Sequence, residues 1–288
     1  MMPDVSIVIP TFNRPGALQS AVKSVLDQTY QDFEIIVIDD GSSCDTSFIA
    51  KLDHRIALLK QRHQGAGSAK NAGIKLSQGK YIAFLDDDDT FLKNKLEFQI
   101  SIMESNPGMM MSHTSYIKND ERQHKTIVNS GYFSGKVYPK ILLNCPIATP
   151  TVMVNSKIFQ NFTLKFPEQS IAEDLLLWTK ISRYHDIFGI DKALSVVNVS
   201  SQSASENLKK KIIACDLKLD YIKNEDPSLL KMNRKINSSK KSLMGLLHSQ
   251  KHLTMKGLKE FSIAFLLDPA NIGNYYAINS VLKKRPPR

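Results

Sequence analysis

The sequence predicts an α/β fold, with a doubly wound, mixed but mostly parallel sheet flanked by helices and a helical C-terminal appendage. Three observations predict it. Apolar runs of strand length alternate with stretches of helical periodicity between residues 4 and 85. Two of those runs stop abruptly at carboxylates, Asp39-Asp40 and Asp86-Asp87-Asp88-Asp89. The charge is also partitioned. Residues 1–204 hold 21 Lys/Arg against 21 Asp/Glu, whereas residues 205–288 hold 17 against 7, so the net charge of +10 belongs to the second part. A first domain over 1–204 and a basic helical region over 205–288 follow from that division.

Residues 4–10 (DVSIVIP) read as a strand that ends at Pro10, and Leu18, Val22, Val25 and Leu26 then recur at helical spacing. Residues 33–38 (FEIIVI) form a second strand that stops at Asp39-Asp40-Gly41-Ser42. A helical stretch, a short strand near 56–60, a helix over Gly67–Leu76 and a strand over 80–85 follow. Both faces of these strands are apolar, as expected of parallel strands covered by helices on each side. Ligands in such sheets bind beyond the carboxyl ends of the strands, where both acidic clusters fall.

Four adjacent carboxylates repel one another and require either a cation or full solvation. Hard oxygen ligands at the end of a rigid strand suit Mg²⁺ or Mn²⁺ holding a phosphate group. The competing reading is a solvated acidic turn. Two strands delivering carboxylates to one sheet edge favour the ligand site.

The motifs themselves resemble a known family. Val5 to Arg14 (VSIVIPTFNR), "DFEIIVIDDGS" at 32–42, "GAGSAKNAGI" at 65–74 and "GKYIAFLDDDD" at 79–89 are similar, in order and spacing, to family 2 glycosyltransferases with the GT-A fold. Ala172-Glu173-Asp174-Leu175-Leu176-Leu177-Trp178 resembles that family's Glu-Asp motif ahead of a Leu-Trp helix. The resemblance covers roughly the first 200 residues.

The resemblance implies transfer of a sugar from a nucleotide diphosphate to an acceptor hydroxyl, with inversion at the anomeric carbon. It implies that Asp88 ligates a divalent metal, Mn²⁺ or Mg²⁺, that stabilises the diphosphate leaving group. Asp86 and Asp87 would contact donor ribose or sugar, or the metal through water. Pro10, Thr11 and Phe12 match the loop that cradles the base. Asp39 matches the residue that bonds the base. A carboxylate accepts the imide N–H of uracil, which favours a uridine donor. Asp-Asp-Gly-Ser also has strong turn chemistry, so a plain turn role for Asp39 stands beside this one.

Lys70 stands where the family usually has Arg; it keeps the charge for the diphosphate but loses the bidentate fork. An exposed helix lysine is the alternative there. Asp174 is the expected catalytic base, taking the acceptor hydroxyl proton, and Glu173 would position acceptor or donor hydroxyls. The opposing reading of both is an acidic helix N-terminus, which the macrodipole favours. Trp178 is expected in the core.

One departure from the family stands out. Where it often carries Arg-x-His, this chain has Asn198-Val199-Ser200-Ser201-Gln202. Metal binding would then rest on Asp88, the donor phosphates and water. The seven histidines show no ligand spacing, although His63 lies close to the donor loop. Asn144 to Thr151 resembles an acceptor-side loop, and such loops vary with acceptor.

Beyond residue 205, Leu208, Ile212, Ile213 and Leu217 recur at helical spacing, as do Leu243, Leu246 and Leu247, and then Leu258, Phe261, Phe265 and Leu266. Lys209-Lys210-Lys211, Lys240-Lys241 and a cluster from Lys283 to Arg288 lie between and beyond them. Two readings stand level: a peripheral contact with an anionic membrane, or a packed appendage with a solvated basic face. No nucleic-acid motif accompanies the charge, so no nucleic-acid partner is expected. No apolar run approaches a membrane span and no basic segment with an apolar h-region opens the chain. Three scattered cysteines read as reduced thiols. The expectation is a cytoplasmic protein, at the inner membrane face if the tail engages lipid. Its partners would be a nucleotide-sugar donor and a saccharide or lipid-linked acceptor of cell-surface polysaccharide or glycolipid synthesis. Two rivals remain: a non-catalytic nucleotide-sugar-binding protein on the same fold, and a phosphatase using Asp86-x-Asp88-x-Thr90.

Overall fold

The computed structural model describes residues 3–160, 164–168, 171–200, 207–250 and 254–271. It divides into two compact units, Met1–Val199 and Ser200–Arg288.

The first unit is built on a nine-stranded sheet in the order β3-β2-β1-β4-β8-β6-β9-β5, with β7 paired to β6. Its first half is wholly parallel. Strand β1 (Val5–Thr11) lies between β2 (Phe33–Asp39) and β4 (Tyr81–Phe84), and β3 (Ile56–Lys60) extends the edge beyond β2. The other half is mixed. Strand β8 (Met153–Asn155) runs antiparallel to both β4 and β6 (Met111–Asp120), while β9 (Ile187–Val199) runs parallel to β6. Strands β5 (Thr90–Phe91) and β7 (Lys125–Val128) pair antiparallel at the margins.

Side chains alternate across this sheet and both faces are buried. Val5, Ile7 and Ile9 join Leu18, Val22 and Val25 of α1 (Pro15–Leu26) and Leu96 and Ile100 of α3 (Lys95–Glu104) in one cluster. Val8, Ile82 and Phe84 point the other way, toward Leu177, Trp178 and Ile181 of α4 (Glu173–Tyr184). Continuous apolar runs are therefore what two covered faces require. Trp178 is a core residue, and its ring lies 5.6 Å from Phe166 and 5.9 Å from Phe84. That packing fixes α4 beneath β4.

The helical stretch expected between β2 and β3 is only a short 3₁₀ turn, Ser47–Lys51. The Asp39 and Asp45 side chains accept hydrogen bonds from the backbone N–H groups of Ser42 and Ser47, and that local bonding competes with a helical ladder. Helix α2 (Ala66–Leu76) then crosses back to β4. It approaches the segment before α4 closely: a Cβ on Gly67 would stand 2.0 Å from the Pro167 carbonyl oxygen. Only glycine fits there.

The second unit contains α5 (Leu208–Asn224), α6 (Asn233–Gln250) and α7 (Thr254–Leu267), with α6 packed against both others. Cys215, Ile222, Ile236, Phe261 and Ala264 form its buried side. Ser201, Gln202 and the basic cluster from Lys283 to Arg288 lie outside the described residues.

Candidate functional site

Strands β1, β2 and β4 end together, and their carboxyl ends assemble one polar cluster. Thr11 is paired in register with Asp39, and the turn after β4 carries Asp86 to Asp89. Thr11 Oγ1 donates to Asp87 Oδ2 at 2.7 Å. Arg14, just beyond β1, donates through Nη1 to Asp87 Oδ1 at 3.1 Å and to Asp88 Oδ2 at 2.7 Å. One guanidinium thus partly neutralises two aspartates.

The four aspartates occupy different environments. Asp87 is buried, and burial pushes its carboxyl up to about 6 against the opposing pull of Thr11 and Arg14. Asp88 is the open member, with its side chain 41% exposed. Its pKa is raised by partial burial and by Asp86, with Arg14 opposing. Asp89 is raised well above the usual carboxylate range by burial and its acidic neighbours. It accepts a hydrogen bond from the Asn198 backbone N–H at 2.8 Å, and the Asn198 amide donates to the Asp88 carbonyl oxygen at 2.5 Å. Asn198, at the end of β9, therefore anchors the acidic turn from the opposite strand.

Lys70 is not an exposed helix lysine. It is 2% exposed, with Nζ 3.1 Å from Asp86 Oδ1 and 3.3 Å from Glu173 Oε1. Burial alone would lower its pKa, but Asp86, Glu173 and Asp174 outweigh it and hold the ammonium charged. Lys70 is the ionic bridge between the acidic turn after β4 and the start of α4. Asn71 reinforces the joint, donating to the Phe166 carbonyl at 2.8 Å and accepting from the Phe166 N–H at 2.9 Å.

Glu173 and Asp174 occupy the first turn of α4, where the helix dipole favours acids. Ala172, immediately before them, adopts a left-handed conformation at φ 58°. Such a conformation is costly for a residue with a Cβ and is concentrated at functional sites. Asp174 Oδ1 accepts from the Leu175 N–H at 2.7 Å, and Oδ2 accepts from Thr149 Oγ1 at 3.2 Å. Burial and the adjacent Glu173 push its carboxyl up to about 6, with Lys70 opposing. A carboxylate tuned toward neutrality and held by donors at both oxygens is suited to proton transfer near neutral pH.

Asp39 differs from expectation in its accessibility. It is 0% exposed, and its oxygens accept from the Ser42 N–H at 2.7 Å and Thr46 Oγ1 at 2.6 Å. Burial would raise its pKa, but those bonds and Lys60 pull it down. Asp39 organises the loop after β2 from within. Asp40 does the same for the loop before α2, accepting from the Gln64 and Gly65 N–H groups at 2.9 and 2.8 Å. Pro10 is buried inside β1, whereas Phe12 stands out from the strand end.

The structure brings Thr11, Asp86, Asp87, Asp88, Lys70, Glu173 and Asp174 into one connected network of hydrogen bonds, ion pairs and chain neighbours. Sequence reasoning did not assign Arg14, Asn71, Thr149 or Asn198 to it. For Arg14 a signal was present, since it closes the loop at the same sheet edge. Asn71 and Thr149 lie inside segments that carry the family resemblance, but their partners Phe166 and Asp174, and the approach of Asn198 to the acidic turn, come from strand and helix adjacencies that no local pattern encodes.

Among the described residues no group of three or more His, Cys, Asp or Glu converges to hold a metal ion by itself. The open Asp88 carboxylate, crowded by other acids, fits the alternative in which one or two carboxylates and substrate phosphates share a divalent ion.

The model of glycosyl transferase family 2 matches residues 6–161. An uncharacterised glycosyltransferase of Rickettsia felis is 47% identical over 201 residues, covering 68% of this chain and 33% of its own length. The chain thus spans about a third of the length of that relative. The Escherichia coli UDP-Glc:α-D-GlcNAc-diphosphoundecaprenol β-1,3-glucosyltransferase WfgD is 34% identical over 228 residues, covering 76% of this chain and 87% of its own. The crystal structure of Staphylococcus aureus TarS 1-349 in complex with UDP-GlcNAc superposes with a TM-score of 0.59 at 16% identity, covering 98% of this chain and 91% of that one. That likeness shows the GT-A fold.

Proposed function

Because the chain belongs to glycosyl transferase family 2, we propose that it transfers a sugar from a uridine-diphosphate donor to a hydroxyl of a saccharide or lipid-linked acceptor, with inversion at the anomeric carbon. The carrying observation is the Asp86–Lys70–Glu173 ion bridge, which ties the acidic turn after β4 to the helix start that presents Asp174. Donor and acceptor chemistry thereby share one framework.

Asp174 takes the proton of the attacking hydroxyl through a carboxylate oxygen as the sugar–phosphate bond breaks on the opposite face. Thr149 and the Leu175 N–H orient that carboxylate. Asp88 would hold a divalent ion, Mn²⁺ or Mg²⁺, with Asp86 or Asp87 beside it. That ion supplies charge stabilisation for the departing diphosphate. Arg14 offers a second positive charge there. Lys70 has both of its carboxylate partners in place, so it acts on the donor by positioning Asp86. Asp39 shapes the base pocket through the loop from Ser42 to Thr46. WfgD, a relative named for a UDP-Glc donor and a lipid-linked acceptor, supports the uridine and lipid-linked readings.

A panel of nucleotide sugars in a thermal-shift assay, with and without Mn²⁺, tests the donor class. UDP-sugars are expected to raise Tm in the presence of metal, as mass action requires of a ligand of the native state. Stabilisation by GDP- or CDP-sugars alone would reject the uridine assignment.

The second unit supports a role at an anionic membrane surface. Lys240 pairs with Asp216 and Lys241 with Glu260, which neutralises part of the basic charge. Ile213, Leu230 and Leu266 remain exposed among the other lysines. Among the described residues no helix is long and apolar enough to cross a membrane, so the contact would be peripheral. Flotation is expected to be stronger with anionic than with neutral vesicles. Equal binding to both would contradict the electrostatic contact.

A further inference from the structure

We infer that Gln99 is a positioning residue for Asp174, acting with Ser195 through the turn that carries Thr149. This inference rests on the reading of Asp174 as the base and names what holds that base in place.

A chain of buried polar groups runs from α3 to the turn before β8. Lys95 and Gln99 lie four residues apart on α3, and both are fully buried. Lys95 Nζ donates to Gln99 Oε1 at 2.6 Å and sits 4.4 Å from the centre of the Phe91 ring. Among the described residues no carboxylate pairs with that amine, and burial lowers its pKa to about 7. An amine donates in both its charged and its neutral form. It therefore holds Gln99 Oε1 toward itself and leaves Nε2 facing the other way. Gln99 Nε2 donates to Ser112 Oγ on β6 and to the Thr151 carbonyl oxygen, each at 3.0 Å. Ser195 of β9, also fully buried, donates through Oγ to the Pro150 carbonyl at 2.7 Å.

These two anchors complete a 3₁₀ turn, Thr149–Thr151. The Ala148 carbonyl accepts from the Thr151 N–H at 3.0 Å and from its hydroxyl at 2.6 Å. The Thr149 carbonyl accepts from the Val152 N–H at 3.1 Å. Donors for the next two carbonyls, of Pro150 and Thr151, come from β9 and α3. Buried carbonyls without donors are costly, so the turn is tied to these two side chains. What it presents is the Thr149 hydroxyl, which donates to Asp174 Oδ2 at 3.2 Å. The Asp174 carboxylate is thus held on one oxygen by its own helix and on the other by a turn that Gln99 and Ser195 fix.

A donor on a carboxylate favours its ionised form, so loss of the Thr149 bond raises the pKa of Asp174. The charged groups facing Asp174 are Lys70 from α2, Asp86 from the acidic turn and Glu173 from α4. None of them bonds to Gln99 or Ser195.

Carboxyl ¹³C NMR of aspartate-labelled protein, without donor or metal, tests the inference, with Asp174 identified by its absence in Asp174→Asn. Thr149→Val is expected to move the Asp174 midpoint from about 6 up to about 7. Gln99→Met, which keeps the length and removes the donor to Thr151, is expected to move it the same way. The double variant should move it no further than Thr149→Val alone, because Gln99 acts through that hydroxyl. An unchanged midpoint in Gln99→Met, or additive shifts in the double variant, would overturn the inference and leave Gln99 a core residue. Should Gln99→Met not fold, Ser195→Ala decides in its place: a raised midpoint supports the turn as the positioning element, and an unchanged one overturns it. The titration needs neither donor nor acceptor, so its failure is separate from that of the transfer reading, which retained transfer in Asp174→Asn would sink.

Discussion

Asp174→Asn is expected to keep donor binding and to lose transfer by about two to four orders of magnitude, the usual contribution of a positioned general base. The amide preserves size; its oxygen can accept from the Leu175 N–H while its nitrogen donates to Thr149 Oγ1, so the helix start remains intact. The pH dependence follows from the direction of the shift. Burial raises the Asp174 carboxyl to about 6, and the base works only when ionised, so transfer in the parent protein should rise as pH increases through about 6. The same shift has a stability consequence of opposite sign. A carboxyl whose folded pKa exceeds its unfolded value near 3.9 stabilises the fold while protonated, and that contribution is lost as pH rises through about 6. Asp174→Asn should therefore be more thermostable than the parent at pH 8, with the difference vanishing near pH 4. Retained transfer in Asp174→Asn would remove this residue as the base.

Asp88→Ala should abolish the metal-dependent part of donor binding while leaving the fold intact. With its side chain 41% exposed, Asp88 is the most open of the four aspartates of this turn, and its loss leaves Arg14 Nη1, on an exposed side chain, still bonded to Asp87. Removing a direct ligand should cost at least the 10- to 100-fold in metal affinity, order of magnitude, that outer-shell substitutions cost. Asp87→Ala is a different experiment, because it removes the acceptor of Thr11 inside the cluster. Metal-dependent UDP-sugar binding that survives in Asp88→Ala would move the ligand role to Asp86 or Asp87.

Much of the sheet edge that carries the acidic turn was legible in the chain itself. Strands β1, β2 and β4 announce themselves as apolar runs because both of their faces are covered, and the acids mark where each leaves the sheet. Strand β6 was not legible, since Ser112, His113, Thr114 and Ser115 are polar yet buried. Partners from distant loops serve some of them: His113 Nε2 lies 2.8 Å from the Phe133 carbonyl, and Ser115 Oγ accepts from the Ser130 N–H at 3.1 Å. A strand that satisfies its polar groups through long-range contacts carries no alternating pattern to read.

The individual roles show the same division. For Lys70 the sequence is compatible with a ligand or a surface lysine; the packing of helix α2 against the segment before α4 buries it between two carboxylates. Asp39 forms the turn that Asp-Asp-Gly-Ser favours, its two oxygens accepting from the Ser42 N–H and Thr46 Oγ1, while the second lone pair on each oxygen leaves acceptor capacity for a base. His63 stood outside every motif, and only the loop fixed by Asp40 brings it onto Phe12.

In this reading the acidic turn binds a metal–diphosphate donor and Asp174 acts separately on the acceptor. Titration of a UDP-sugar with and without Mn²⁺, in parallel on the parent, Asp88→Ala and Asp174→Asn, tests it most directly. Metal-dependent binding is expected in the parent and in Asp174→Asn, with its loss in Asp88→Ala. Equal, metal-independent binding by all three proteins would contradict it.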